Sequence, residues 1–261
     1  MAKKVAVAMF GLTGSIDSKY GEGRNLDPSI AAGYVKKNIM NHNESDCFIH
    51  TWSLEMTSKL QELYKPVRLV GEKLDETIWR RALRRAPLRW WFRLALKGVS
   101  RGSRGVLGEL KAAKNSFHRY TSTSRVLREI LDHSRETGMK YDFVLLSRLD
   151  LAYFTPFLIN GLKPGQYMVS NWNDVSWLDG KLDYSRKNRY SGHAVLDLWF
   201  VFCFEDLEYV SSVIDRFFHY DTSQHRVLYQ HLSRRNFQTV YKRFRGVDHE
   251  LVRRFLYGSQ V

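Results

Sequence analysis

The sequence predicts an α/β fold, a mostly parallel sheet with helices on both faces, and three observations carry that prediction. Short apolar runs recur at residues 5–10, 47–49, 67–70 (broken by Arg68), 143–146, 167–169 and 198–204. Stretches of helical character lie between them, at 28–40, 54–64, 116–137, 207–220 and 223–235. The 261 residues are 44% hydrophobic and 14% aromatic, enough to build a large core within one domain spanning 1–261.

Continuous rather than alternating hydrophobicity is what a strand needs when helices cover both its faces, so all six runs are expected to be buried parallel strands. The first, Val5-Ala6-Val7-Ala8-Met9-Phe10, follows two lysines and shares that pattern with a short signal peptide. It is short for that role and no clean small-residue cleavage site follows, so a first strand is the expectation. Cys47 and Cys203 sit inside apolar runs, without the spacing of a metal site or a disulfide framework. Free buried cysteines in a reducing cytoplasm fit that usage. Asp206 and Ser223 are expected N-caps for the two helices they precede. Gly138 is placed to end the long helix just before the strand at Tyr141, making 116–150 one helix-then-strand unit. No stretch approaches the roughly 18 apolar residues of a membrane span.

A formal charge of +14 implies attraction to something anionic: a phosphate-bearing small molecule, nucleic acid or an acidic membrane surface. Much of it is concentrated in a helical insert at 76–109, with no acidic residue between Glu76 and Glu109. Arginines there interleave with Trp79, Trp90, Trp91 and Phe92, and Arg80/Arg84 and Arg81/Arg85 repeat at helical spacing. Pro87 separates two helices or kinks one. Three readings stand. One is an ordinary helical pair with its tryptophans packed inward. Another is peripheral docking through 79–104 on an anionic membrane, at the inner, cytoplasmic face. The third is contact with a nucleic acid or a protein, although no recognisable nucleic-acid-binding motif accompanies the segment.

In open α/β sheets, ligands bind beyond the carboxyl ends of the strands, so the residues after each run carry the functional argument. Gly11-Leu12-Thr13-Gly14-Ser15 permits close backbone approach to a ligand but lacks the lysine and spacing of a P-loop. His50-Thr51-Trp52 offers a ring to stack on a base and polar groups to orient it; a structural role for His50 is the alternative. Arg148 and Asp150, two apart on an extended segment, point to the same side. There they present a guanidinium to phosphate and a carboxylate to a divalent metal, unless they form a purely structural pair.

In their order along the chain these motifs resemble small bacterial or viral glycosyltransferases of the GT-A type, which build surface polysaccharides. The resemblance rests on the strand running into Phe10-Gly11-Leu12-Thr13 and on Asp46-Cys47-Phe48-Ile49-His50-Thr51-Trp52, close to a D-x-F-x-H-T-W pattern. It continues through a helix carrying Tyr120-Thr121, Tyr141-Asp142-Phe143-Val144 leading into Arg148-Leu149-Asp150-Leu151, and Asp197-Leu198-Trp199-Phe200-Val201. It spans about residues 4–235, apart from the basic insert.

The resemblance implies a GT-A-like, Rossmann-like fold and transfer of a sugar from a nucleoside-diphosphate donor to a hydroxyl of a glycan or lipid-linked glycan. Gly11, Thr13, His50, Thr51 and Trp52 would line the nucleotide pocket, and Tyr120 and Ser124 would face the sugar-nucleotide from the long helix. Arg148 and Asp150 would stand where such enzymes carry Asp-x-Asp for Mn²⁺ or Mg²⁺ and diphosphate. With Arg148 in the first position, part of the charge neutralisation passes to the guanidinium. Asp150 and His249 are the candidate metal ligands; Asp248 is a further one, or a helix cap. Asp197 is the expected base for the acceptor hydroxyl, with Asp174 and Asp179 behind it. Trp172, Asp174 and Trp177 would meet the acceptor. The alternative function is a nucleic-acid-binding or -processing protein using the basic insert, against which stands the single clear carboxylate where two-metal nucleases need several. A non-catalytic glycan-binding module is the third.

Overall fold

The computed structural model describes residues 3–14, 26–100, 105–171, 176–178, 181–183, 194–245 and 247–252. In its first half the chain runs β1 (Lys4–Gly11), α1 (Pro28–Asn38), β2 (Glu44–Thr51), α2 (Thr57–Tyr64), β3 (Arg68–Gly71), α3 (Glu76–Arg84), α4 (Leu88–Ser100) and α5 (Gly105–Thr137). There follow β4 (Phe143–Arg148), β5 (Leu151–Tyr153), β6 (Gln166–Asn171), β7 (Ser176–Leu178), β8 (Lys181–Asp183) and β9 (Trp199–Cys203). The chain then forms α6 (Leu207–Ser211), α7 (Gln224–Ser233), β10 (Gln238–Phe244) and β11 (His249–Leu251).

Seven of the described strands form one sheet in the order β10-β6-β9-β4-β1-β2-β3. The fold is α/β, its central sheet mostly parallel and flanked by helices. On β1, Val5, Val7 and Met9 pack with Ala32 and Val35 of α1 and Leu60 of α2. Its alternate residues Ala6, Ala8 and Phe10 pack with Phe117, Val126 and Leu127 of α5. Successive strand side chains point to opposite faces, so one fully buried strand serves two cores.

All six expected runs are strands, but two depart from the expectation: the edge strand β3 is only half-buried, and the run at 198–204 is not parallel, since β9 is antiparallel to both β4 and β6. A strand covered on both faces has the same apolar run whichever way it points, so direction was not encoded there. The reversal matters for the site. Trp199 pairs with Ser147, which brings the segment entering β9 beside the carboxyl end of β4.

The long helix begins at Gly105, well before the expected 116, so the boundary drawn at 109 falls inside α5. Glu109 anchors this extension, buried between Lys97 at 3.3 Å and the Thr222 hydroxyl at 2.8 Å. At 33 residues α5 is about 50 Å long. Against it pack α3 and α4, separated at Pro87 as expected. Trp79 and Trp90 turn inward, their rings 5.3 Å from Phe117 and 5.1 Å from Phe218 respectively.

The expected helix at 207–220 breaks into α6 and a 3-10 turn at Ile214–His219. Ser211 and Ser212 donate back to the carbonyls of Glu208 and Tyr209, which competes with continuing the helix. Gly138 ends α5 at φ +72°, as its C-cap position required. Asp206 and Ser223 stand at N-cap positions but make no side-chain cap; Asp206 instead accepts from the Gly165 N–H at 3.0 Å. No described helix is long and apolar enough to cross a membrane.

Candidate functional site

β1 lies between β2 and β4, so the chain leaves it on one side for β2 and β3 and returns on the other as β4. In open α/β sheets the ligand crevice lies at such a reversal, beyond the carboxyl ends of the strands. Three strand ends are tied there: Leu149 N–H donates to the Phe10 carbonyl at 3.2 Å, and Trp52 N–H to that of Gly11 at 3.1 Å. Gly14 follows at φ +101°, and a Cβ there would lie 2.7 Å from Leu26 Cδ1 and 3.0 Å from Asp150 Cβ. Only glycine fits both the dihedral and the gap.

A cluster of charge occupies the β4 side. Arg148 donates to Asp150 through Nε at 2.7 Å and Nη2 at 2.6 Å, a bidentate pair. Asp197, just before β9, has Oδ2 2.9 Å from Arg119 Nη1 and Oδ1 3.0 Å from His225 Nδ1. The first is a close ion pair and the second a close imidazole–carboxylate contact, neither of them a well-aligned hydrogen bond. Burial pushes the Asp197 carboxyl up, but Arg119, His225 and Arg148 outweigh it and hold the group far below the usual carboxylate range. Backbone bonds fix the pair: Val195 N–H donates to the His225 carbonyl at 2.9 Å, and the Tyr120 hydroxyl to that of Gln224 at 2.6 Å. Exposure separates the two groups. The Asp197 side chain is 3% exposed and that of His225 23%, so the imidazole is the more accessible of the two.

The β2 side holds His50, Trp52, His118, Ser122 and Arg125. Ser122 Oγ accepts from the Gly11 N–H at 3.0 Å and lies 2.7 Å from His50 Nδ1. The Ser122 hydroxyl also lies 3.4 Å from the His50 carbonyl, so it bridges the His50 backbone and ring, donating to the one or the other. Burial, helped by Arg125, lowers the His50 pKa to about 3 and keeps the ring neutral. The His50 and Trp52 rings meet edge-on at 4.7 Å, His118 reaches Trp52 at 6.3 Å, and Arg125 lies over the Trp52 face at 5.1 Å. Arg125 is also ion-paired with Glu72. His50 Nε2, Trp52 Nε1 and both ring nitrogens of His118 are buried without a hydrogen-bond partner among the described residues. Leaving such groups unpaired costs about 1–3 kcal/mol each, so a bound molecule that pairs them gains what the empty fold loses.

Of the expected nucleotide residues, Gly11, Thr13, His50, Thr51 and Trp52 come together at these strand ends. Thr13 and Thr51 face inward: the Thr13 N–H and hydroxyl both meet Ser53 Oγ at 3.3 Å, and Ser53 N–H donates to Thr51 Oγ1 at 3.0 Å. Tyr120 and Ser124 do not face the crevice. At 100° per residue they lie across α5 from Ser122, on the side where Phe117 meets Phe217 and Tyr120 meets Gln224. Tyr120 thus steadies the turn that bears His225. Asp46 and Tyr141 bond each other at 2.8 Å at the opposite end of the strands.

The expected metal ligands do not converge. Both Asp150 oxygens are taken by Arg148, while His249 is fully buried with Nε2 2.9 Å from Ser170 Oγ and 3.3 Å from Trp199 Nε1. Burial lowers the His249 pKa to about 3, a structural histidine's environment. Asp248 bonds the Thr155 hydroxyl at 2.8 Å and precedes a strand, not a helix. Among the described residues no group of three His, Cys, Asp or Glu side chains is set to hold a metal ion. These residues, as placed, do not fit Mn²⁺ or Mg²⁺. Trp172, Asp174 and Asp179 lie outside the described residues, as does the side chain of Trp177 on β7.

Sequence reasoning missed Arg119, His225, His118, Ser122 and Arg125. Four of them form a stripe on α5 at 118, 119, 122 and 125, a polar seam on an otherwise buried helix, and that periodicity was available. No protein family matches the chain, and no curated protein is significantly similar to it.

Proposed function

We propose that the protein is a GT-A-like glycosyltransferase that moves a sugar from a nucleoside-diphosphate donor to a hydroxyl of a glycan acceptor. The observation that carries this reading is the convergence, at one strand-order reversal, of Arg119 and Arg148 with a carboxylate-backed imidazole. The unpaired ring nitrogens of His50, Trp52 and His118 adjoin it.

In this reading the base and ribose lie on the β2 side, where the Trp52 indole offers an N–H donor and neutral His50 its unpaired Nε2. The diphosphate meets Arg148, which is partly exposed and has Nη1 remaining beyond its pair with Asp150. Transfer breaks the bond from the anomeric carbon to the diphosphate oxygen, and the electron pair departs with that oxygen. Stabilising this developing charge is the dominant demand, and the guanidinium of Arg148, with Arg119 behind it, supplies it. The acceptor oxygen forms the new bond as its proton passes to His225, at the nitrogen facing away from Asp197. Asp197 keeps the ring oriented and stabilises the imidazolium, as carboxylate–histidine pairs do elsewhere. No step is routed through a divalent ion.

A thermal-shift panel of UDP, GDP, CMP and dTDP, each with and without Mn²⁺, set against a short oligonucleotide, tests the donor class. One nucleotide standing out is expected, because stabilisation follows mass action. An oligonucleotide that stabilises more than every nucleotide would favour the nucleic-acid alternative instead.

A further inference from the structure

We infer that α4 is a docking surface for an anionic lipid bilayer, with its exposed apolar stripe in the acyl boundary and its arginine seam on lipid phosphates. This does not rest on the glycosyltransferase reading.

α4 has two apolar faces. Trp90, Leu94 and Gly98 are buried against the body of the protein. On the other side Leu88, Phe92, Leu96 and Val99, spaced as one helical stripe, are 84%, 65%, 56% and 78% exposed. An ordinary surface helix presents charge on its outer side, and one apolar on both sides has a second partner. Arg89 and Arg93 form the seam between the faces. They border a hollow of about 350 Å³, also lined by Phe92, His219 and Arg234. Arg89 Nη2 lies 2.7 Å from His219 Nδ1, and Arg93 Nη2 donates to the Phe218 carbonyl at 3.1 Å, so both guanidiniums are held at its rim. No acidic residue lines it, and none occurs in the sequence between Glu76 and Glu109.

The charge pattern selects the occupant. A second copy of this chain docked through the same face would set arginine seam against arginine seam with no carboxylate to answer them. Single-stranded nucleic acid would match the arginines, but aliphatic Leu88, Leu96 and Val99 offer no ring for a base to stack on. A bilayer matches both halves: phosphates for the arginines and acyl chains for the stripe. Arg234, which lines that hollow, directly follows α7, and α7 carries His225 in its first turn. Docking there would bring the crevice within about 15 Å of headgroup level.

The test is flotation of the full chain with vesicles of phosphatidylcholine alone or mixed equally with phosphatidylglycerol. Three proteins are compared: wild type, the pair Phe92→Glu/Leu96→Glu, and the pair Arg89→Gln/Arg234→Gln. Circular dichroism and melting temperature check that each variant is folded. Wild type is expected to float with the anionic vesicles and to be released by added salt. Either pair should weaken binding about tenfold or more. Salt release alone, measured on wild type, tests the electrostatic half if a variant misfolds. Absence of flotation, equal flotation with both vesicles, or retention by the Phe92→Glu/Leu96→Glu pair would overturn the inference. So would a stable dimer in light scattering that Leu96→Glu dissociates.

Discussion

A buried carboxylate paired with a guanidinium is a poor proton acceptor, and that decides how Asp197 and His225 divide the chemistry. Asp197 is buried, ionised and turned toward Arg119, while His225 carries the more accessible ring. His225→Ala is therefore expected to lower turnover by about 10²–10⁴ while leaving the melting temperature within a degree or two, as surface-facing substitutions do. Asp197→Ala should behave differently. It strips the partner from a buried guanidinium, a loss of about 3–5 kcal/mol, and so should lower stability and turnover together. Paired melts and rate measurements on the two variants separate a base from its orienting group. Equal melting temperatures would contradict the division. The sequence marked Asp197 as the base because a polar residue entering an apolar strand is visible in one dimension. What it could not display is that His225, nearly thirty residues on, folds back to stand in front of it.

Helices α4 and α5 show how far periodicity reads an element. The inward packing of Trp79 and Trp90 agrees with the ordinary-pair reading, yet the outer stripe of α4 belongs to none of the protein's cores. Trp90→Ala should cost about 3–5 kcal/mol, the range for deleting a buried aromatic ring. Phe92→Ser should cost under about 0.5 kcal/mol, since its ring is already in water. Denaturant melts of the two check the assignment, and similar losses for both would show that the faces had been misjudged. The start of α5 was hidden because Gly105 and Gly108 dilute its helical signal, and Glu109 is satisfied only by Lys97 and Thr222, which tertiary structure supplies. The edge strand β10 was missed for a related reason. Its Gln238-Thr239-Val240-Tyr241-Lys242-Arg243 sequence has no continuous apolar run, because only a partly covered edge is asked of it.

At the scale of the molecule, burial lowers the pKa of the four described buried histidines, His118 among them, and His50, His231 and His249 carry the largest part of the response to acid. Burial lowers His50 and His249 to about 3 and His231 to about 4, against an unfolded value of about 6.5. Their neutral forms contribute full stability above pH 6.5. As the pH falls below that, the unfolded chain takes up protons that the fold refuses. Stability then declines by up to about 1.4 kcal/mol per pH unit for each histidine. Melting temperature should thus fall steadily from pH 7.5 to pH 5, well above the carboxylate range; a flat profile would mean that these rings accept protons in place. The sheet and its two cores were legible because burial on both faces leaves continuous apolar runs. The crevice was half legible. Strand ends announce themselves, whereas groups contributed by α5 and α7 arrive from distant sequence.

The central claim is that this crevice holds a nucleoside-diphosphate donor through Arg148, and calorimetric titration tests it most directly. The nucleotide that gives the largest thermal shift is titrated into wild type, Arg148→Ala and His225→Ala. Wild type and His225→Ala should bind with similar affinity, and Arg148→Ala about tenfold or more weaker, the loss of one charge-assisted phosphate contact. Binding by Arg148→Ala as tight as wild type, or no binding by any of the three, would contradict the account.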